Sequence, residues 1–477
     1  MSRFQLPAEI FRAYDIRGIY PEQLQDIHAY IIGCSLAIYL KSKLKKEKIT
    51  LHIGNDNRES SPTLVNYFIL GLQSHDINVV YVGITLTPIM SYIACTQNTD
   101  FCVMVTASHN PKQYNGFRFI YKHGSSLYGD ELKQLYTIAQ NQIFPEPLPA
   151  VTSLPPIQSF NDIYVDDVAK RVNINYNGNV LIDCGNATSG LIVEQILNKL
   201  EVPYALRHCN LDSSFPLGTP DPERDEFMQN LATEVVDAKA AIGFAFDTDA
   251  DRFGLVDENG IWYSTDKLLA VLARHYLPLN ENKTVIFDVK SSSFLEKIIS
   301  DFEGTPKMIR TGHPYFFEEM QKGALMAAEY SGHMYFNINY FGFDDGIFAM
   351  LMFLDLLSSQ KCNTSSLFSA FPTMYVTHEI KIPCEDIVKF NVMEQVMNLI
   401  SSVVEITDLS LVDGVRCTLG DLGWFLIRAS NTTPFLTIRM EAKNEDSIAT
   451  IKSCISQLFE TLNIDTSPIV NAPVIQN

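Results

Sequence analysis

From position 50 to about 370, short apolar runs recur along the chain with longer stretches of mixed polarity between them. The runs Thr50–Ile53, Asn78–Val82, Phe101–Thr106, Val180–Asp183, Ala241–Phe246, Thr284–Val289 and Ala324–Ala328 have the length and composition of strands. Pro62–Ser74, Ser189–Leu200, Asp266–Tyr276 and Asp345–Leu357 read as helices between them. Alternation of this kind predicts α/β architecture. The pattern changes after the serine-rich stretch Ser358–Pro372. Strand-like Tyr375–Ile382, a helix near Asn391–Val403, strands around Asp413–Thr418, Gly423–Ala429 and Phe435–Ala442, and a helix near Ser447–Leu462 predict a smaller α+β domain. Three of the earlier strands end in polar loops, at Thr106–Pro111, Asp247–Arg252 and Glu329–His333. Ligands of open α/β sheets bind at the carboxyl ends of strands, so these loops are expected to face one shared cleft.

A chain of 477 residues exceeds one ordinary core and predicts three or four domains. Five prolines in Phe144–Pro156 mark the first linker. The expected domains are 1–150, 151–253, 254–370 and 371–477, with a strand running through the second boundary. A hydrophobic share of 46% against 19% charged residues fits a globular protein and not a disordered one. No stretch reaches the roughly 18 uninterrupted apolar residues of a membrane span; Ile347–Leu357 is short and carries Asp355. The first residues, MSRFQLPAEI, lack the apolar centre of a signal peptide. Nine cysteines without a CxxC pair predict reduced thiols and a cytoplasmic protein. The net charge of −19 argues against a nucleic-acid partner, which needs a basic face, but leaves room for a small anion in a local basic pocket.

Within the polar loops, Asp247, Asp249 and Asp251 alternate with small residues. Converging carboxylates of this kind suit Mg²⁺, although a solvated acidic turn fits the same letters. Arg252 beside them can hold an anion. Ser108 lies at a strand end with His109, Asn110 and Pro111, which suits either a phosphoryl-carrying serine with a cation nearby or an ordinary Asx/Pro turn. A Ser-His-Asp hydrolase is disfavoured by the missing G-x-S-x-G elbow. Glu329, Ser331, Gly332 and His333 offer the mixed donors and acceptors that sugar hydroxyls need. Arg428-Ala-Ser-Asn-Thr-Thr-Pro434 supplies enough donors to ring one phosphate, and its lack of glycine excludes a Walker loop.

Taken together and in this order, the four elements resemble the α-D-phosphohexomutase superfamily, in its bacterial phosphomannomutase/phosphoglucomutase branch. The resemblance runs from Phe11-Arg-Ala-Tyr-Asp-Ile-Arg-Gly18 to the Arg428 loop and is carried most specifically by Thr106-Ala-Ser-His-Asn-Pro111 with Tyr114-Asn-Gly116. It implies three similar α/β domains with mixed sheets plus a smaller C-terminal α+β domain around a central cleft. The serine, metal, sugar and phosphate loops would lie in domains I to IV respectively. It also implies reversible transfer of a phosphoryl group between the 1- and 6-positions of mannose or glucose phosphate, through phosphoserine and a hexose 1,6-bisphosphate that also serves as activator.

By the same resemblance Ser108 carries the phosphoryl group, and Asp247, Asp249 and Asp251 bind Mg²⁺ together with it. Glu329 and Ser331 read the sugar 3- and 4-hydroxyls. Arg428, Ser430, Asn431 and Thr432 hold the non-reacting phosphate. Tyr14, Arg17, His109, Arg252, Lys290, Gly312, His313 and His333 line the cleft. The partner is a small hexose phosphate, with no nucleic acid and no membrane; a monomer is expected, with a dimer left open.

The chain departs from the family at two places. Arg118 stands where lysine is usual at a position implicated in proton transfer, and arginine is a poor base, so Arg118 is expected to act electrostatically with Arg17 or His333 nearest the proton. Thr248 and Ala250 replace glycines often found between the aspartates, where positive φ is costly. Phosphoglucosamine mutase, a silent sugar-phosphate-binding homologue and a phosphatase are the competing readings. The first fits less well, because that branch favours Arg-Pro-Ser-Gly-Thr-Glu-Pro and Gln before Ser-Gly-His.

Overall fold

The computed structural model describes residues 6–144, 154–385, 387–430 and 434–476. Most of the proline-rich linker expected at Phe144–Pro156 lies outside these residues. The described chain falls into two compact units. One runs to Trp262 and adds Phe316–Met326 and Ser331–Leu367; the other holds Tyr263–Tyr315, Ala327–Tyr330 and the chain from Phe368 onward.

The first unit contains two mixed sheets. In the first, Thr50–Asn55 pairs in parallel with Asn78–Ile84 and Phe101–Val105. Tyr114–Tyr121 returns antiparallel to Phe101–Val105, and Ile16–Ile19 closes the other edge antiparallel to it. Every residue of Phe101–Val105 is buried, as expected of a central strand covered on both faces. In the second sheet Val180–Asp183 lies in parallel between Tyr204–Arg207 and Ile242–Phe246. Phe253–Asp257 then pairs antiparallel with Ile242–Phe246, so this sheet runs past the boundary expected at 253.

The cysteines depart from expectation here. Cys184 and Cys209 form a disulfide, whereas reduced thiols were expected throughout. The reason is register: Asp183 sits opposite Arg207, so the residues leaving these neighbouring parallel strands come within 4.8 Å between Cα atoms, a bridging distance. Parallel register is not visible in cysteine spacing. The other seven cysteines form no disulfide among the described residues.

Helix Gly346–Gln360 is apolar and buried along most of its length, Asp355 being the one charged residue in it. Its N-cap, Asp345, accepts from Phe348 N at 2.8 Å and from the hydroxyls of Tyr164 and Tyr340. Burial nevertheless pushes the Asp345 carboxyl up to about 6 from 3.8. A raised folded-state value means that the folded protein takes up this proton first as pH falls, so the cost of the buried charge is present above about pH 6 and fades toward pH 4. Relative to Asp345→Asn, the parent should therefore gain stability between pH 7 and pH 5 in urea unfolding. A parent-to-variant difference that stays flat with pH would contradict this.

In the second unit Thr284–Asp288 and Thr305–Ile309 pair in parallel. The C-terminal sheet is antiparallel, through Asp408–Ser410, Val415–Thr418, Gly423–Ala429 and Phe435–Ala442. The expected single strand Tyr375–Ile382 is two, Tyr375–Thr377 and Ile380–Pro383, both paired with Phe435–Ala442. Side chains alternate across this sheet. Phe425, Ile427, Ile438 and Met440 face the helices Lys389–Val403 and Glu445–Thr461. Trp424 and Leu426 instead pack with Val289. On that face Trp424 Nε1 donates to Glu441, Ser293 donates to the same carboxylate, and Arg416 donates to the carbonyls of Val289 and Ser291.

Candidate active site

The strand Phe101–Val105 delivers Thr106 and Ser108 into a tight turn in which Ser108 has φ +50°. The turn is held from outside. Asp56, fully buried, accepts from Thr106 Oγ1 at 2.8 Å and Ser61 Oγ at 2.7 Å and pairs with Arg58 Nε at 2.9 Å. Arg58 in turn donates to the backbone carbonyls of Ser108, Asn110, Pro111 and Tyr114. One buried guanidinium thus fixes the path of the whole serine loop. Ser108 Oγ donates to Asp247 Oδ2 at 2.9 Å and lies 3.2 Å from His109 Nδ1.

The aspartate loop follows Ile242–Phe246. Ala250 takes φ +60°, the left-handed backbone that the missing glycine would have accepted without strain. Donors hold the loop there. Ala250 N donates to Asp247 O and Gly346 N donates to Ala250 O. A Cβ on Gly346 would lie 2.7–2.9 Å from the carbonyls of Arg252 and Ala250, so only glycine lets the helix approach this closely.

The carboxylates of Asp247, Asp249 and Asp251 each place an oxygen within 4.8 Å of the others, and all three are buried. Burial first, then the charges of Asp251 and Asp249, hold the Asp247 carboxyl well above its usual range. Burial and Asp249 push Asp251 up to about 6. Asp249 Oδ2 accepts from Thr87 Oγ1, whereas Asp249 Oδ1 and Asp251 Oδ1 are buried and accept no hydrogen bond among the described residues. Crowded, under-satisfied carboxylate oxygens of this kind fit a divalent cation, which would satisfy the oxygens and relieve the repulsion.

Arg118 sits beside this cluster, held between two carboxylates. Nη1 donates to Asp251 Oδ2 at 2.6 Å and Nη2 to both oxygens of Asp344 at 2.8 Å. Burial opposes the guanidinium charge, but Asp344 and Asp251 outweigh it and raise its pKa further. His333 Nδ1 lies 3.4 Å from Asp344 Oδ2 and 3.6 Å from Asp251 Oδ1, and Arg252 Nε donates to His333 Nε2 at 3.1 Å. The network therefore assigns the proton to Nδ1 and the lone pair to Nε2. Arg252 also pairs with Glu223 at 3.2 Å. His109 is half-buried near Arg252, Arg17 and Arg58, and loss of solvent followed by these cations holds its pKa well below the usual imidazole range. Arg17 reaches the serine loop at Asn110 Oδ1 and pairs with Asp15. Tyr14 is half-buried just before this strand.

Ser331 is buried in the first unit. The remaining expected residues belong to the second unit. Glu329 Oε2 accepts from Gly312 N at 2.8 Å, next to His313. Lys290 follows Asp288, whose carboxylate accepts from Lys290 N and Tyr330 N. Arg428 Nη2 pairs with Asp413 Oδ2 at 3.0 Å, and Ser430 O accepts from buried Lys389. Asn431 and Thr432 lie outside the described residues.

Sequence reasoning passed over Asp56, Arg58, Thr87 and Asp344. Asp56 and Arg58 had a signal: Asn55-Asp-Asn-Arg58 is a polar strand-end loop leading into a helix, a fourth of the kind already singled out. Asp344 had none, because its partner is 226 positions away.

Models of the phosphoglucomutase/phosphomannomutase family match the chain in series: α/β/α domain I over residues 8–146, domain II over 162–260, domain III over 264–375 and the C-terminal domain over 379–457. The chain belongs to this family. A phosphomannomutase/phosphoglucomutase from Pseudomonas syringae pv. tomato is 35% identical over 94% of each chain. A phosphoglucomutase from Neisseria gonorrhoeae is 34% identical, covering 95% of this chain and 97% of its own. Among solved structures, a phosphoglucomutase/phosphomannomutase family protein from Burkholderia thailandensis aligns over 98% of this chain and all of its own, with a TM-score of 0.86 at 27% identity. The family's three α/β/α domains and C-terminal domain agree with the expected fold class. Among the described residues no helix is long and apolar enough to cross a membrane.

Proposed function

We propose that this protein is a phosphohexomutase that moves a phosphoryl group between the 1- and 6-positions of a mannose or glucose phosphate, through phosphorylated Ser108 and a hexose 1,6-bisphosphate. The observation that carries this reading is the seating of Ser108 Oγ on Asp247 at 2.9 Å, at the rim of the three crowded carboxylates. Phosphoryl transfer needs alignment and neutralised charge more than a reactive side chain.

Asp247, Asp249 and Asp251 would hold Mg²⁺ together with a Ser108 phosphoryl oxygen; the ion, when bound, supplies charge neutralisation on the transferring group. Arg118 and Arg252 add fixed positive charge at the same place. When Ser108 Oγ takes the phosphoryl group back, its O–P bond forms as the bond to the sugar oxygen breaks, and Asp247 Oδ2 already accepts the serine proton's hydrogen bond. Arg118, doubly paired to carboxylates, keeps its proton. His333 would take the sugar hydroxyl's proton at Nε2 only on giving up the hydrogen bond that Arg252 Nε donates there. Glu329 and Ser331 would read the sugar hydroxyls, and Lys290, Gly312, His313 and Tyr14 would take the substrate-lining roles that the resemblance implies. The Arg428 loop, with Ser430, Asn431 and Thr432, would grip the phosphate that does not react.

The test is a panel of mannose and glucose 1-phosphates with Mg²⁺ and a catalytic amount of glucose 1,6-bisphosphate, scored for 6-phosphate formed and for phosphate released. Conversion without release is expected. Release without conversion would mean a phosphatase, and neither would mean a silent binder. Asp249→Asn should weaken Mg²⁺ binding at least tenfold in calorimetry, on the scale of losing one charged ligand, with the unfolding midpoint unchanged or raised. Unaltered affinity in that variant would remove Asp249 from the metal site.

A further inference from the structure

Arg428 does not stand alone in the second unit. Its Nη2 donates to Asp413 Oδ2 at 3.0 Å, and the same carboxylate oxygen accepts from Thr311 N at 3.2 Å. The next amide along, Gly312 N, donates to Glu329 Oε2 at 2.8 Å. A continuous path therefore runs from the guanidinium through Asp413 and the Thr311–Gly312 turn to the Glu329 carboxylate. Asp413 is held in place by the turn that carries it: Gly414 has φ +85°, and a Cβ there would lie 2.4 Å from Ile427 O and 2.7 Å from Arg428 Cβ. The Arg428 side chain is buried, and its Nε has no hydrogen-bond partner among the described residues.

We propose that Asp413 is a positioning residue that fixes the spacing between the phosphate-gripping arginine and the sugar-reading carboxylate. The inference rests on the reading of Arg428 as the holder of the non-reacting phosphate and of Glu329 as a hydroxyl acceptor. A hexose phosphate presents those two features at a separation set by its own ring and bonds. A rigid spacing lets one molecule engage both anchors without first ordering them, and preorganisation of that kind lowers the cost of binding. In this reading Asp413 acts only through its bonds to Arg428 and Thr311, not on the sugar or the transferring group itself. Its removal should therefore be felt in substrate capture and little in the chemical step.

The test is steady-state kinetics with glucose 1-phosphate and glucose 1,6-bisphosphate on the full chain. Asp413→Ala should raise KM about tenfold with kcat within about threefold, and Asp413→Asn, which keeps an oxygen acceptor, should fall between Ala and the parent. Arg428→Lys should raise KM on its own. Because Asp413 acts through Arg428, the double variant Asp413→Ala/Arg428→Lys should have a KM well below the product of the two single effects.

Should Asp413→Ala fail to fold, the Asn variant and its double with Arg428→Lys carry the same comparison. Singles whose effects multiply, or an Asp413 variant with the parent's KM while Arg428→Lys raises it, would overturn the proposal and leave the Arg428 reading standing. Arg428→Lys with the parent's KM would overturn the reading beneath it.

Discussion

Ser108→Ala is expected to lower turnover by several orders of magnitude, even with saturating glucose 1,6-bisphosphate. The size follows from the role: a covalent carrier divides one difficult transfer into two easier ones, and no neighbour can replace it. His109 is half-buried and neutral, but it follows the serine on the same strained turn, and Asp247 is turned toward the acidic cluster. The loop itself should survive, because Arg58 grips carbonyl groups and Thr106 Oγ1 accepts from the Ser108 amide; none of these bonds uses the hydroxyl. Circular dichroism and the unfolding midpoint should therefore match the parent. Intact mass should show a phosphorylated fraction in the parent that is missing from the variant. A variant that keeps turnover near the parent's would end the phosphoserine account.

The second large effect is expected at Arg118. Its guanidinium spans Asp251 in the aspartate loop and Asp344 just before the buried helix, so it serves as a fixed charge between two carboxylates. Arg118→Met should lower kcat by roughly 30- to 1,000-fold, corresponding to about 2–4 kcal/mol for one lost preorganised donor at a developing charge. It also strands the two buried carboxylates, so a lowered unfolding midpoint should accompany the kinetic loss. Arg118→Lys keeps the charge but cannot bridge both partners with the same fork, and it should be neutral or slightly slower. Turnover of the two variants at saturating substrate from pH 6 to 9 separates charge from proton transfer. A lysine variant several-fold faster than the parent, with a new basic limb in its profile, would show that the position is a base that arginine impairs.

The letters announce what is local and hide what depends on distant pairing. Strand Val180–Asp183 and the apolar run into Asp247 are legible because burial on both faces demands continuous apolar residues. The serine, aspartate and arginine loops are legible because their chemistry needs several polar residues in a row. Asp344 is invisible because a lone aspartate gains meaning only from Arg118 across the fold. The Cys184–Cys209 bridge is hidden for the same reason, since it follows from the register of two parallel strands. Tyr375–Ile382 breaks at His378 and Glu379, where the apolar alternation stops, and that break was there to be read.

The close approach of Gly346 to Ala250 also gives the acidic loop a permanent electrostatic partner. Helix Gly346–Gln360 points its amino end at the loop, with Gly346 N donating directly to Ala250 O. The aligned peptide dipoles of such a helix amount to about half a positive charge at that end. Unlike a divalent ion, this charge does not dissociate and is insensitive to chelators. It acts on the aspartates whether or not a cation is present, so the left-handed kink at Ala250 and the order of the three carboxylates are features of the folded chain itself. A receptor of this kind for a cation would stand whether or not the ion is bound.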